Sequence, residues 1–205
     1  MTVAVIDTGI TAHPDLDMNV LPGYDFVSDA TAARDGNGRD AHAQDQGDWY
    51  AAGECGQATA GNSSWHGTHV AGTIAAVTGN ATGVAGIAPN AKVVPVRVLA
   101  KCGGSLSDIA DAIIWSAGGT VPAFPANANP ATAINMSLGG SGACGSTYQA
   151  AINSAVSRGH RGGGGRQQQP GCFRIPPGQL QQRCERGREQ PERQPLLLLQ
   201  LLLHG

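Results

Sequence analysis

Aromatic side chains are scarce in this sequence, with three each of Phe, Tyr and Trp making up 4% of 205 residues. Together with 30 glycines and many alanines, that scarcity implies tight turns and close helix–sheet packing. Long apolar runs are lacking too. The only leucine-rich stretch, Leu196 to Leu203, is far short of the roughly 20 apolar residues that span a bilayer, so no membrane is expected as a partner. No signal peptide is legible, because Met1 leads straight into the β-like run Val3-Ala4-Val5-Ile6. Even pairing of cysteines is excluded as well. Cys55, Cys102, Cys144, Cys172 and Cys184 are five in number, and they hint at an oxidising compartment. A chain of this length suits one α/β domain of ordinary size.

The net charge of -2 conceals a division. Residues 1–158 carry 6 Lys/Arg against 12 Asp/Glu, whereas residues 159–205 carry 7 Arg against 3 Glu. The composition breaks at the same place. The last 47 residues hold 9 Gln, 9 Gly, 8 Leu and 7 Arg, with no Ala, Val, Ser, Thr or Asp. An Arg/Gln/Gly segment of this kind can bind phosphate weakly and in a salt-dependent way, but nucleic acid is not the partner expected here. With little to bury, the tail is expected to be disordered.

Val3–Ile6 reads as a strand buried on both faces and ends at Asp7, placing a carboxylate at the strand's C-terminal edge. That carboxylate either belongs to a site or simply caps the next turn. Residues 25–48 read as an acidic loop. Oxygen ligands on a Gly-rich loop suit calcium, so Asp35, Asp40, Asp45 and Asp48 are candidate ligands of a structural calcium ion, the alternative being a solvated acidic loop. Ser63-Ser64-Trp65-His66-Gly67-Thr68-His69 leads into Val70-Ala71-Gly72-Thr73, which reads as a buried helix with His66 at its start. Either both histidines are structural or His66 is a base held at a helix N-terminus.

Val93–Leu99 reads as a strand in which Pro95 suggests an edge or a bulge. Ser105-Leu106-Ser107-Asp108 resembles a capping box opening a helix that Gly118-Gly119 ends. Ala133–Leu138 reads as a strand and Tyr148–Ser157 as a helix. This alternation predicts an α/β fold with a doubly wound, mostly parallel sheet flanked by helices.

Asp7 and His66 are two parts of a nucleophilic triad: the carboxylate holds the imidazole tautomer and the imidazole takes the nucleophile's proton. Val3-Ala4-Val5-Ile6-Asp7-Thr8-Gly9-Ile10 with His13-Pro14-Asp15-Leu16 resembles the aspartate motif of subtilisin-like serine proteases. His66-Gly67-Thr68-His69-Val70-Ala71-Gly72-Thr73 is similar to their histidine motif, and Asn135-Met136-Ser137-Leu138-Gly139-Gly140 to their substrate-binding strand. The Asp-before-His order also fits that family. The cysteines resemble those of a secreted bacterial branch.

The resemblance implies a subtilisin-like fold over residues 1–158 and an extracellular monomer acting on extended peptide or protein substrates. Asp7 would orient His66, the general base, and His69 would be packed as a structural residue. Gly103, Gly104 and Ser105 would form one wall of the cleft and Ser137, Leu138, Gly139 and Gly140 the other, each pairing with the peptide as an added strand. It further implies a Cys55–Cys102 bridge beside the cleft, with Cys102–Cys144 as the alternative.

Two family motifs do not occur here: Gly-Thr-Ser-Met-Ala, which bears the nucleophile, and Ala-Ala-Gly-Asn, which bears the oxyanion asparagine. None of Ser137, Ser141, Ser146, Ser154 and Ser157 lies in a matching context. A one-base frameshift near Arg158–His160 would account for this. Joining the last two bases of each codon to the first of the next lets His160 to Gln168 be reread as Thr-Val-Val-Val-Ala-Ala-Gly-Asn-Asn, with free third bases making this a compatibility. Residues 176–186 likewise reread as a family-like strand. The expectations are therefore a catalytically inactive chain and an exposed apolar sheet edge beside Ile134–Leu138.

Overall fold

The computed structural model describes residues 1–140, 145–159 and 161–164. Cys144, Cys172, Cys184 and the reread segments beyond residue 164 lie outside the described residues. Five parallel strands form one sheet in the order β2-β3-β1-β4-β5: β1 is Thr2–Asp7, β2 Tyr24–Asp25, β3 Lys92–Arg97, β4 Ala133–Met136 and β5 Arg161–Gly164. The helices are α1 (Ala30–Ala33), α2 (His66–Ala75), α3 (Leu106–Ser116) and α4 (Ser146–Ser157).

Side-chain alternation along β1 divides the core into two layers. Ala4 and Ile6 pack with Val94, Val96 and the apolar faces of α3 and α4. Val3 and Val5 pack with Val93 and with Val70, Ala71 and Ile74 of α2. Helices thus cover both faces, as a doubly wound sheet requires. Asp7, two residues beyond Val5, is turned by the same period toward α2.

Pro95 lies on an interior strand, against the expectation of an edge or bulge. Even-numbered residues bracketing β3 donate toward β1, as Lys92 N to Met1 O (2.9 Å) and Val98 N to Asp7 O (2.9 Å) show. Odd-numbered ones face β2, where Val93 O accepts from Leu21 N and Arg97 O from Phe26 N, both at 2.8 Å. Pro95 therefore directs its missing donor toward β2, which is only two residues long. Gly23 lies there, so close that a Cβ on it would be 1.8 Å from Pro95 O.

The acidic stretch after Asp25 is more structured than its composition suggests. Asp29 accepts from Thr31 N and Ala32 N and so caps the single turn α1. Arg97, fully buried, crosses from β3 to this segment, where Nη1 donates to Asp25 (2.6 Å) and Asp35 (3.2 Å) and Nη2 to Ala33 O (2.6 Å). The Ser105 cap of α3 is half of a capping box. Ser105 Oγ accepts from Asp108 N at 3.1 Å, but the Asp108 carboxylate turns away to Ser28 and Arg39. Four of the few aromatics, Tyr24, Phe26, Trp115 and Phe124, gather beneath Arg39, whose guanidinium lies 5.1 Å from the Phe124 ring.

Beyond α4 the backbone of residues 161–164 pairs in parallel with β4, Ala133 opposite Arg161. The expectation of an open edge at β4 is corrected accordingly, and the sheet continues past residue 158, where the sequence places its compositional break.

Arg39 joins α3 to the acidic segment through Asp108 and Asp111. Burial tends to raise the Asp108 carboxyl, but hydrogen bonds from Arg39 and Ser28 outweigh it and hold the group below its ordinary 3.8. A depressed carboxyl stabilises the fold above its unfolded pKa and loses that contribution as pH falls through the folded value. Arg39→Met should therefore cost about 2–4 kcal/mol in urea unfolding at neutral pH. The deficit should shrink as the pH is lowered below 3.8.

Candidate active site

The site lies at the C-terminal edge of the sheet, where β1 ends between its neighbours β3 and β4. Asp7 is fully buried and accepts from Thr8 N at 2.8 Å. Its two oxygens lie 2.8 and 2.9 Å from His66 Nδ1. A carboxylate partner places the proton on Nδ1 and leaves Nε2 as the basic nitrogen. Burial pushes the Asp7 carboxyl above its usual value, against the opposing pull of His66 and the Thr8 amide. The His66 side chain is 44% exposed, so the imidazole is held at one end and open at the other.

Two glycines allow this approach. α2 begins at His66, and a Cβ on Gly67 would lie 2.3 Å from Gly9 O and 3.2 Å from Asp7 Cβ. Gly9 itself has φ +104°, a conformation that L side chains rarely adopt. Thr8, between Asp7 and Gly9, accepts from Gly67 N at 2.9 Å and so ties the helix start to the strand end. Thr8, Ser64 and Gly67 are the site residues that sequence reasoning missed. Their one signal is adjacency to Asp7 and His66, which does not distinguish a positioning contact from a neighbour in the chain. His69 is exposed rather than packed, because the face of α2 that carries it turns away from β1.

A cleft of about 420 Å³ opens beside His66, lined by Thr8, Asp48, Tyr50, Leu99 and Gly103 among others. Cys55 and Cys102 are bridged at its rim, with Cα atoms 5.0 Å apart, and Lys101 Nζ bonds Glu54 Oε1 at 2.6 Å alongside. The expected Cys55–Cys102 pairing is therefore the one formed. Of the residues expected to form the walls, Gly103 reaches the cleft, but its N–H and C=O are both bonded to Ala100. Gly104 and Ser105 are exposed beyond it, Ser105 committed to the α3 cap. Ser137 and Leu138, half-buried, and Gly139 and Gly140, exposed, follow β4 on the other side of Asp7.

The four aspartates expected to bind calcium do not converge. Asp35 accepts from Arg97 and Asn37, and Asp40 from Asn37 and His42. Asp45 accepts from Thr8 and Gly47, and Asp48 from Ser64. Among the described residues no group of three or more His, Cys, Asp or Glu could hold a metal ion. The loop folds back on itself, and protein donors take up the carboxylates singly. These four carboxylates therefore do not form one shared cluster, and no step here runs through a cation.

Gly67→Ala should cost about 1–3 kcal/mol by overpacking and separate His66 from Asp7, which stability measurements and the imidazole signals of His66 would register. Loss of the Cys55–Cys102 bridge, which spans 47 residues of sequence, should lower unfolding stability by about 4 kcal/mol on a chain-entropy basis. Urea unfolding with and without reductant measures this.

Residues 1–168 match the family model described as the Subtilase family. Over 158 residues the chain is 74% identical to an extracellular protease of Xanthomonas campestris pv. campestris, covering 77% of this chain and 27% of that protein. It is 53% identical over 164 residues to an extracellular basic protease of Dichelobacter nodosus, covering 78% of this chain and 27% of the relative. Among solved structures, a protease from Pseudoalteromonas arctica PAMC 21717 superposes with a TM-score of 0.79 at 63% identity, over 80% of this chain and 48% of the other. The chain thus spans about a quarter of the length of these two curated relatives. With a buried aspartate at a strand end, a histidine at the facing helix start and this sequence likeness over most of its length, the chain belongs to the subtilase family.

Proposed function

We propose that residues 1–158 form the aspartate–histidine half of a serine endopeptidase site, and that the 205-residue chain does not itself cleave peptides. The observation that carries this reading is the His66 Nδ1 contact with the buried Asp7, at 2.8 Å. In the intact enzyme His66 Nε2 would take the proton of a serine hydroxyl as that oxygen attacks the scissile carbonyl. Asp7 would hold the ring and stabilise the imidazolium, and His66 would return the proton to the leaving amine. Among the described residues, Asp7 is the only side chain hydrogen-bonded to the His66 ring. Lack of the serine costs such a triad about 10⁶ in rate, or roughly 8 kcal/mol of transition-state stabilisation, as established for this family. A water assisted by Asp7 and His66 alone does not recover that.

The substrate class is an extended peptide lying between the segment after β3 and Ser137–Gly140 after β4, paired through its backbone. Extracellular action is the counterpart reading for localisation, supported by the names of the two curated relatives. A one-base shift near Arg158–His160 is part of the proposal. It is supported by the change of composition after residue 158 and by residues 161–164 lying beside β4, where the reread Val-Val-Val-Ala would be a natural strand. A non-enzymatic remnant that still grips peptides is the second reading, favoured by the cleft that persists beside His66.

A fluorophosphonate probe should leave the 205-residue chain unlabelled and label the frame-corrected chain at its restored serine. Stoichiometric labelling of the chain as it stands would overturn the proposal. Nucleotide sequence across codons 155–175 that opens no frame toward Gly-Thr-Ser would remove the frameshift.

A further inference from the structure

We propose that Asp45 and Asp48 are positioning residues for His66, each holding the hydroxyl that caps one of the first two amides of α2. The inference rests on reading Asp7 and His66 as the orienting carboxylate and base. It assigns to these two aspartates a role in that site.

α2 starts without an ordinary cap. Trp65, at φ 52°, is left-handed and offers its helix no side-chain acceptor. The amides of the first turn find acceptors elsewhere: His66 N donates to Ser64 Oγ at 3.3 Å and Gly67 N to Thr8 Oγ1 at 2.9 Å. A hydroxyl whose own proton has a fixed destination is held with its lone pairs in a fixed direction. Here both protons have one. Ser64 Oγ donates to Asp48 Oδ2 at 2.8 Å while Ser64 N donates to Asp48 Oδ1 at 2.6 Å. Thr8 Oγ1 donates to Asp45 Oδ2 at 2.6 Å, and the other oxygen of Asp45 accepts from Gly47 N at 2.8 Å. Two carboxylate–hydroxyl–amide relays thus run side by side into consecutive residues, one of them the base itself.

The shelf that carries both aspartates is braced from below. Arg34 donates to Gly47 O at 3.1 Å and Trp49 O at 2.7 Å, the carbonyls on either side of Asp48, and lies 3.9 Å from the Trp49 ring. Two anions close to the N-terminus of α2 also complement its macrodipole. Neither aspartate touches the reacting atoms. Their effect is to fix where the helix begins, and a misplacement of a base by 1 Å can cost on the order of a hundredfold in rate.

The test uses the full chain labelled with ¹⁵N-histidine, observing the His66 Nδ1 proton that is hydrogen-bonded to Asp7. Asp48→Asn and Asp45→Asn each remove the acceptor of one hydroxyl proton. Each should speed exchange of that Nδ1 proton with water by about tenfold or more, exchange being a measure of local opening. The ring signals of His69, three residues further along the same helix and exposed, should stay in place. If an Asp variant fails to fold, the Ser64 pair decides: Ser64→Ala should lose the protection and Ser64→Thr should retain it. Unchanged exchange in both Asp variants with the His69 signals in place overturns the proposal, as does failure of Ser64→Thr to differ from Ser64→Ala. Absence of the Nδ1 signal in the unsubstituted chain would instead overturn the Asp7–His66 pair, and the proposal with it.

Discussion

The close approach of the first turn of α2 to the end of β1 is the constraint on which the site depends. No side chain fits between them, since even a methyl group at Gly67 would come within 2.3 Å of Gly9 O. Because the gap is that small, an imidazole on the first residue of the helix reaches a carboxylate on the last residue of the strand. Period-2 alternation then completes the geometry. Val3 and Val5 pack against α2, so Asp7 faces the same way and meets His66.

Around that contact, buried polarity is arranged with partners on nearly every side. Arg97 is fully buried but divides its donors among Asp25, Asp35 and Ala33 O, joining β3 to the acidic segment. Arg39 does the same between that segment and α3. Buried ions of this kind are weak stabilisers compared with an apolar core, but removing one partner strands the other, so they set a unique arrangement of loops. The loops so fixed lead into the Asp45–Asp48 shelf, and the shelf in turn holds Thr8 and Ser64. A run of aspartates that resembles a cation loop in sequence is thus taken up by amides, hydroxyls and guanidinium groups.

The sheet also sets where a substrate would lie relative to Asp7. β1 lies between β3 and β4, so the segments after those strands flank Asp7 as the two sides of a cleft. β4 is covered on its far side by residues 161–164, within the compositionally different tail. Parallel pairing there needs only backbone groups, which an all-glycine stretch after Arg161 supplies as readily as a valine-rich one. A strand can therefore form there whatever side chains the segment carries.

By itself the sequence determined the α/β class, the buried strand at Val3–Ile6, the helices begun at His66 and Ser105, and the identities of Asp7 and His66. Those features are written in local periodicity, caps and short motifs, which depend on neighbours in the chain. The Cys55–Cys102 pairing became legible only through family resemblance, since an odd set of cysteines leaves several pairings open. Tertiary structure alone decided the rest. Pro95 is interior because the side of β3 that it faces meets a two-residue strand, and His69 is exposed because of which face of α2 meets β1. The four aspartates separate because their carboxylates find donors up to 62 residues away in sequence. Thr8 and Ser64 acquire a role for the same reason: a hydroxyl's function is set by the donor and acceptor that the fold brings to it, and chain order does not record either.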